Sequence, residues 1–387
     1  AAAADKKLAL ADLSLDQKQT LLTHPRRAIA GRARRLLTSG GAMPNADRQK
    51  VIDELMPLTE RTGNPTAGKL VFKNNCAKCH THSGEGARVG PDLTGMAVHP
   101  KSHLIIEILD PSRSVEGNYR QYVLSTKSGR VLSGLLSSET KTAVELLDAE
   151  AKLHKILRED IDDLQVSSKS LMPEGFEKQL SKDDLVNLLE FLTQRGKYLP
   201  LPLDKVATAI STRGMFYSED APVERLVFND WSPKTYHDIP FNLIDPRGDR
   251  VPNVILLYGP EGKLPPKMPR QVTLPCNTSA KAIHLLSGVS GWGYPYSEKG
   301  SVSLIVRLHY EDGKAEDHPL KNGVEFADYI RRVDVPGSQF AFGLRGRQVR
   351  YLTIQPERKD KIKEIEFVKG PDATAPVIVA VTVESPG

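Results

Sequence analysis

The sequence predicts a multidomain α+β chain, and three observations predict it. Residues 1–62 and both ends of 63–198 place apolar residues at helical spacing, a stretch at about 118–168 alternates apolar with polar, and 205–387 is a succession of short strand-like runs. A chain of 387 residues exceeds what one ordinary core organises, so two or three domains are expected.

Residues 1–62 read as three short helices. Ser14 and Gln17 form a capping box, Pro25 suits the first turn of a second helix, and Val51, Ile52, Leu55 and Met56 share a face of a third. So little apolar surface reads as the end of a helical array, or as a cap on the next domain. Asn64 and Pro65 start a helix, and Ser181 with Asp184 starts another whose buried stripe is Leu185, Leu188, Leu189 and Leu192, with Gly196 as its stop. Between them Tyr122 and Leu124, the Ser128-Gly129 turn, Val131 to Leu136, Val144, Leu146, Leu153 and Ile156 spell a β meander. The stretch Tyr198-Leu-Pro-Leu-Pro202 reads as a stiff linker. Beyond it, strand-like runs at 254–258, 282–286, 302–310, 350–354, 362–367 and 377–383, with a turn at Asp312-Gly313, suggest a β-sandwich.

Composition excludes several classes. The net charge of +5 is mild, and the tight basic cluster Arg32, Arg34 and Arg35 reads as a solvated helix face rather than a nucleic-acid contact. No apolar run approaches the ~20 residues that span a bilayer. The sequence opens with no signal-peptide pattern, and reads as a mature form or a piece of a longer chain. Three cysteines, Cys76, Cys79 and Cys276, are too few for a disulfide scaffold. No paired carboxylates suggest glycosidase chemistry.

The informative run is Cys76-Ala-Lys-Cys79-His80, the C-x-x-C-H signature of covalent haem attachment. Two thiols at this spacing reach the two vinyl groups of one porphyrin, and the histidine that follows ligates the iron. The alternatives are a local disulfide, which has no use for His80, and a zinc site using Cys76, Cys79, His80 and His82, which lacks the usual spacing.

Around this run the sequence resembles the class I cytochromes c. Ala67-Gly68-Lys-Leu-Val-Phe72 resembles their first helix, where a small residue and an aromatic meet the last helix. Gly90-Pro91-Asp-Leu93 resembles their Gly-Pro-x-Leu loop, whose proline carbonyl orients the haem histidine. Ser170-Leu-Met172-Pro resembles their axial methionine segment. The resemblance implies one covalent haem c held by Cys76, Cys79, His80 and Met172, with Gly90, Pro91 and Leu93 supporting it. Met96 is the near competitor for the axial place, and His82, His99, His103 and His154 are alternative ligands. The long interval from Gly90 to Met172, with His-x-x-Ser-Gly-Glu-Gly, Ile108-Leu-Asp-Pro-Ser112, Tyr119 and Lys127-Ser-Gly-Arg-Val-Leu-Ser-Gly134, resembles the haem-binding domain common in Planctomycetes and Verrucomicrobia, often found behind helical repeats.

A His/Met iron has no open position, so the resemblance implies one-electron transfer in the periplasm or another extracytoplasmic compartment. The partner is then a redox protein or a dehydrogenase, and the chain is an electron carrier rather than an enzyme. A haem peroxidase or haem sensor with a labile sixth ligand is the alternative. Residues 281–330 resemble galactose-binding jelly-roll modules of the carbohydrate-binding type. The resemblance rests on Ala282-Ile-His-Leu-Leu286, Leu304-Ile-Val-Arg-Leu-His-Tyr310, Asp312-Gly313, Pro319-Leu320 and Asn322-Gly323. It implies a polysaccharide or protein ligand, for which Trp292, Tyr294 and Tyr296 on a glycine-rich loop are the candidates, the other reading being a loop tucked against the sandwich. Some such modules hold a structural Ca2+, but no ligands for one stand out here.

Overall fold

A computed structural model describes residues 46–115, 119–292 and 298–386. The helices expected before residue 46, the Arg32–Arg35 cluster, Tyr294 and Tyr296 lie outside these residues. The chain divides into two compact units: one contains the residues up to Leu93 with Pro100–Gln194, the other Thr94–His99 with the residues from Arg195 onward. Few helices and several antiparallel sheets make a mixed, multidomain α+β architecture.

Among its described residues the first unit has four α-helices, α1 (Ala46–Leu55), α2 (Pro65–Asn75), α3 (Lys101–Leu109) and α4 (Lys182–Leu192). Ile52 and Leu55 are buried on α1, and Pro57 tightens the chain beyond it into a 3-10 turn, Met56–Glu60. Asn64 caps α2: its side-chain oxygen accepts from the N–H groups of Thr66 and Ala67 at 2.9 and 3.2 Å, and Pro65 occupies a position where no N–H is missed. Asn64→Ala is expected to lower the stability of this unit by about 1 kcal/mol, measurable as a lower urea midpoint. The Ser181–Asp184 capping box is present, and the leucine stripe of α4 is buried. The helix stops before Gly196, at Thr193, whose N–H and hydroxyl both turn back to the carbonyl of Leu189.

Helices α2 and α4 cross at Gly68. A Cβ there would lie 1.9 Å from the Asn187 carbonyl oxygen and 2.8 Å from the Phe191 Cβ, so only glycine permits this approach. The rings of Phe72 and Phe191 meet beside the crossing at 5.6 Å. Lys101 and the N–H of Gly63 converge on the Glu190 carboxylate at 2.7 and 3.0 Å, fastening α3 and the chain before α2 to α4.

Between α3 and α4 runs an antiparallel sheet of β1 (Arg120–Thr126), β2 (Val131–Glu139), β3 (Ala143–Leu147), β4 (Leu153–Leu157) and β5 (Ile161–Ser170). The spatial order is β4-β3-β2-β1-β5, so the last strand returns to the far edge beside β1. Leu124, Leu136, Val144, Leu146 and Ile156 give it a small core of its own. Returning β5 to β1 delivers the chain after Ser170 to the helical part.

In the second unit a four-stranded sheet (271–278, 362–369, 302–310, 315–321) shares one core with a six-stranded sheet whose central strands are 282–290 and 375–384. That shared core makes a β-sandwich. The outer face of the six-stranded sheet is covered too, by Met215, Phe216, Leu226, Phe228, Ile239 and Phe241 among others. Every residue of the two central strands is therefore buried, and neither alternates. The stretch expected as a linker is in part a strand: Tyr198–Pro200 pairs with Thr382–Glu384, and Leu199, Leu201 and Leu203 are buried. An extended proline-rich chain suits a linker or a sheet edge equally, and the alternating leucines decide for the edge.

Candidate haem site

The attachment run continues α2 by one turn. The N–H groups of Cys76 and Ala77 donate to the Phe72 carbonyl, and those of Cys79 and His80 donate to the Cys76 carbonyl at 3.0 and 2.9 Å. Both thiols are thus carried on one short helical turn, and they are not joined to each other. Burial pushes the Cys76 thiol up to about 11 and raises that of Cys79.

The chain then folds back under the histidine. Gly90 N–H donates to the Cys79 carbonyl at 2.8 Å and Leu93 N–H to the Thr81 carbonyl at 2.7 Å. This brings the Pro91 carbonyl 2.9 Å from His80 Nδ1. A carbonyl only accepts, so Nδ1 carries the proton and Nε2 is left with its lone pair. Burial lowers the pKa of this imidazole, against the pull of the Pro91 hydrogen bond, and favours the neutral ring that ligates iron. Gly90 lies flat against it: a Cβ would be 2.5 Å from Cε1 and 2.7 Å from Nδ1 of His80. Thus Gly90 and Pro91 act on His80 through main-chain atoms, while Leu93 fastens the loop to Thr81. Two thiols on one turn, followed by an imidazole held as the Nδ1–H tautomer, fit haem c, with Cys76 and Cys79 as attachment points and His80 as iron ligand. The haem, when bound, supplies one-electron chemistry at its iron.

Met172 lies half-buried between β5 and α4, its N–H donating to Ser170 Oγ at 3.1 Å. Its segment is tethered to the chain after α3: Ser170 N–H donates to Ser112 Oγ, which donates to Glu174, and Lys169 pairs with Glu174 at 2.9 Å. Arg48 on α1 holds the next turn. It is 9% exposed and forks onto both Glu177 oxygens at 2.8 and 2.9 Å while also donating to the Leu109 carbonyl. That ion pair holds the Glu177 carboxyl below its usual range. Sequence reading missed Arg48, because an arginine on an amphipathic helix looks like part of a solvated face.

The other candidate ligands have other positions. The His82 ring packs on Phe191 at 4.4 Å, His154 Nε2 meets the Asp148 carboxylate at 2.5 Å, and His103 is an i,i+4 neighbour of Glu107. Met96 opens a short turn that groups with the second unit. Among the described residues no three His, Cys, Asp or Glu side chains converge as a metal cluster, which removes support for a zinc site at Cys76, Cys79, His80 and His82. A groove beside the attachment run is lined by Lys69, Phe72, Lys73, Ala77, Lys78, Glu85 and Gly86, and neither thiol nor His80 is among these residues.

In the second unit Trp292 is 3% exposed and belongs to the shared sandwich core, so its ring is packed inside rather than at the surface. Cys276 is buried, and burial pushes its thiol up to about 12, which suits an inert core residue. Among the described residues of this unit no three His, Cys, Asp or Glu side chains converge where a Ca2+ ion would be held.

No helix among the described residues is long and apolar enough to cross a membrane. Residues 65–195 match the family model for Cytochrome c, which spans α2, the attachment run, the Gly-Pro loop, the inserted sheet and α4. With the geometry above, that match supports a cytochrome c haem domain in this part of the chain.

Proposed function

We propose that the first unit is a one-electron carrier with His80 and Met172 as axial ligands, working in the periplasm or a comparable extracytoplasmic compartment. The observation that carries this reading is the Nδ1–H bond from His80 to Pro91, which reserves Nε2 for iron. The tethering of Met172 between Ser112, Glu174 and the Arg48–Glu177 pair supports a methionine held in a defined place rather than on a free loop. The unit is then of the Planctomycetes and Verrucomicrobia type. The second unit serves as a jelly-roll module that docks the carrier on a polysaccharide or partner protein, and the donor or acceptor is a redox protein or dehydrogenase.

Visible spectra of the oxidised and reduced protein test this. Low-spin c-type bands with a weak far-red methionine–iron band support His/Met ligation. A high-spin spectrum would instead favour the peroxidase or sensor alternative. Met172→Ala is expected to remove the far-red band, admit cyanide or CO and lower the reduction potential, because a thioether favours Fe(II). An unchanged potential and spectrum would show that Met172 is not the ligand.

A further inference from the structure

The inserted sheet reaches the attachment site. Its β3–β4 turn, Asp148 to Lys152, places the Ala149 carbonyl 3.6 Å from Cys79 Sγ, a contact between residues 70 apart in sequence. The turn is rigidly built. Asp148 Oδ1 accepts from the N–H groups of Glu150 and Lys152 at 3.0 and 2.9 Å, and its other oxygen meets His154 Nε2 at 2.5 Å. Ala151 takes a left-handed φ of +61°, which these bonds hold against its steric cost. Behind the turn, Leu135, Leu147 and Leu153 lie side by side across three strands, and Leu153 is 50% exposed despite its size.

We propose that this turn is a wall of the haem site: it screens the porphyrin edge at Cys79 from water, and the Glu150 carboxylate beside it tunes the iron's potential. The inference rests on the haem reading above. The Cys79 thiol donates to the Ala149 carbonyl; thioether formation would transfer that proton to the vinyl group, and the porphyrin edge carried by Sγ would then stand beside this turn. Glu150 directly follows Ala149 in the turn, and its N–H is held by Asp148 Oδ1, so its carboxylate belongs to the segment that meets Cys79. A negative charge beside the haem favours Fe(III), so its removal favours Fe(II).

The test uses the haem-loaded full chain in a spectroelectrochemical titration. Glu150→Gln is expected to raise the midpoint potential, with a shift that shrinks as salt screens an exposed charge. Glu139→Gln, which neutralises a carboxylate at the β2–β3 end of the strands, is expected to leave it unchanged. Ala151→Val, which disturbs the left-handed position of the turn without changing its charge, is expected to lower the potential and speed oxidation by ferricyanide several-fold. Variants that keep a low-spin haem with wild-type potentials and ferricyanide rates would overturn the proposal while leaving the haem reading intact. Failure of the unaltered chain to carry covalent haem would overturn both.

Discussion

Gly90→Ala is expected to weaken the bond between His80 and iron without touching a ligand or the attachment motif. Gly90 does not adopt a left-handed backbone, so the requirement for glycine there is one of space. The added methyl would stand 2.5 Å from Cε1 and 2.7 Å from Nδ1 of a ring whose Nδ1–H is committed to Pro91 at 2.9 Å. Relief requires the ring to tilt or the Gly90–Pro91 segment to retreat, and either lengthens that hydrogen bond. Loss of such a supporting contact costs metal–ligand affinity about 10- to 100-fold. The measurement is a titration of the haem-loaded variant with external imidazole, followed in the visible spectrum. An affinity for imidazole raised by about tenfold is the expected result, in line with the lower end of that range. An affinity equal to that of the parent would mean that the loop yields freely and that Gly90 does not position His80.

Gly68→Ala is expected to be the more destabilising change. Alanine gains about 1 kcal/mol of helix propensity over glycine. Against this stands a Cβ placed 1.9 Å from the Asn187 carbonyl oxygen, a main-chain atom of α4 that cannot rotate away. The helices must separate, and Asn187 Oδ1 then loses its 2.7 Å bond from the Asn64 N–H, beside the cap of α2. Overpacking of this kind costs about 1–3 kcal/mol or more, so a net loss of about 2 kcal/mol is expected. That is a fall in melting temperature of roughly 5 °C for a unit of this size. Because α2 carries Cys76 at its end, the variant should also incorporate less haem. A melting temperature at or above that of the parent would show that the crossing is looser than the geometry indicates.

The site was largely legible in the sequence where its chemistry is local. Cys76, Cys79 and His80 fall within one turn, so their spacing carried their meaning, and the Gly90-Pro91 loop that follows closely was legible through its resemblance to the Gly-Pro-x-Leu loop of class I cytochromes c. The caps at Asn64 and Ser181 were legible for the same reason, since a cap depends on residues two and three positions away. Less legible were contacts whose partners are distant in the chain. Arg48 reads as a surface charge until Glu177 and the Leu109 carbonyl are brought to it, 129 and 61 residues on. Tyr198–Pro200 reads as a spacer until it is seen to pair with the last strand. The central strands of the second unit show no alternation because both of their faces are covered, and the covering residues lie in an irregular stretch with little strand signal.

The sequence by itself determined that this chain carries a motif for covalent haem in a helical setting, that a β sheet interrupts that setting, and that an all-β unit follows. Each of these is written in residues close enough along the chain to share a turn, a helix face or a strand. Only the tertiary structure decided what the interruption does. By returning β5 to β1 and bending the β3–β4 turn back to Cys79, the fold sets Ala149 against a thiol 70 residues away. No local period or propensity encodes such a contact, because it depends on how separate elements pack and not on the conformation of either one.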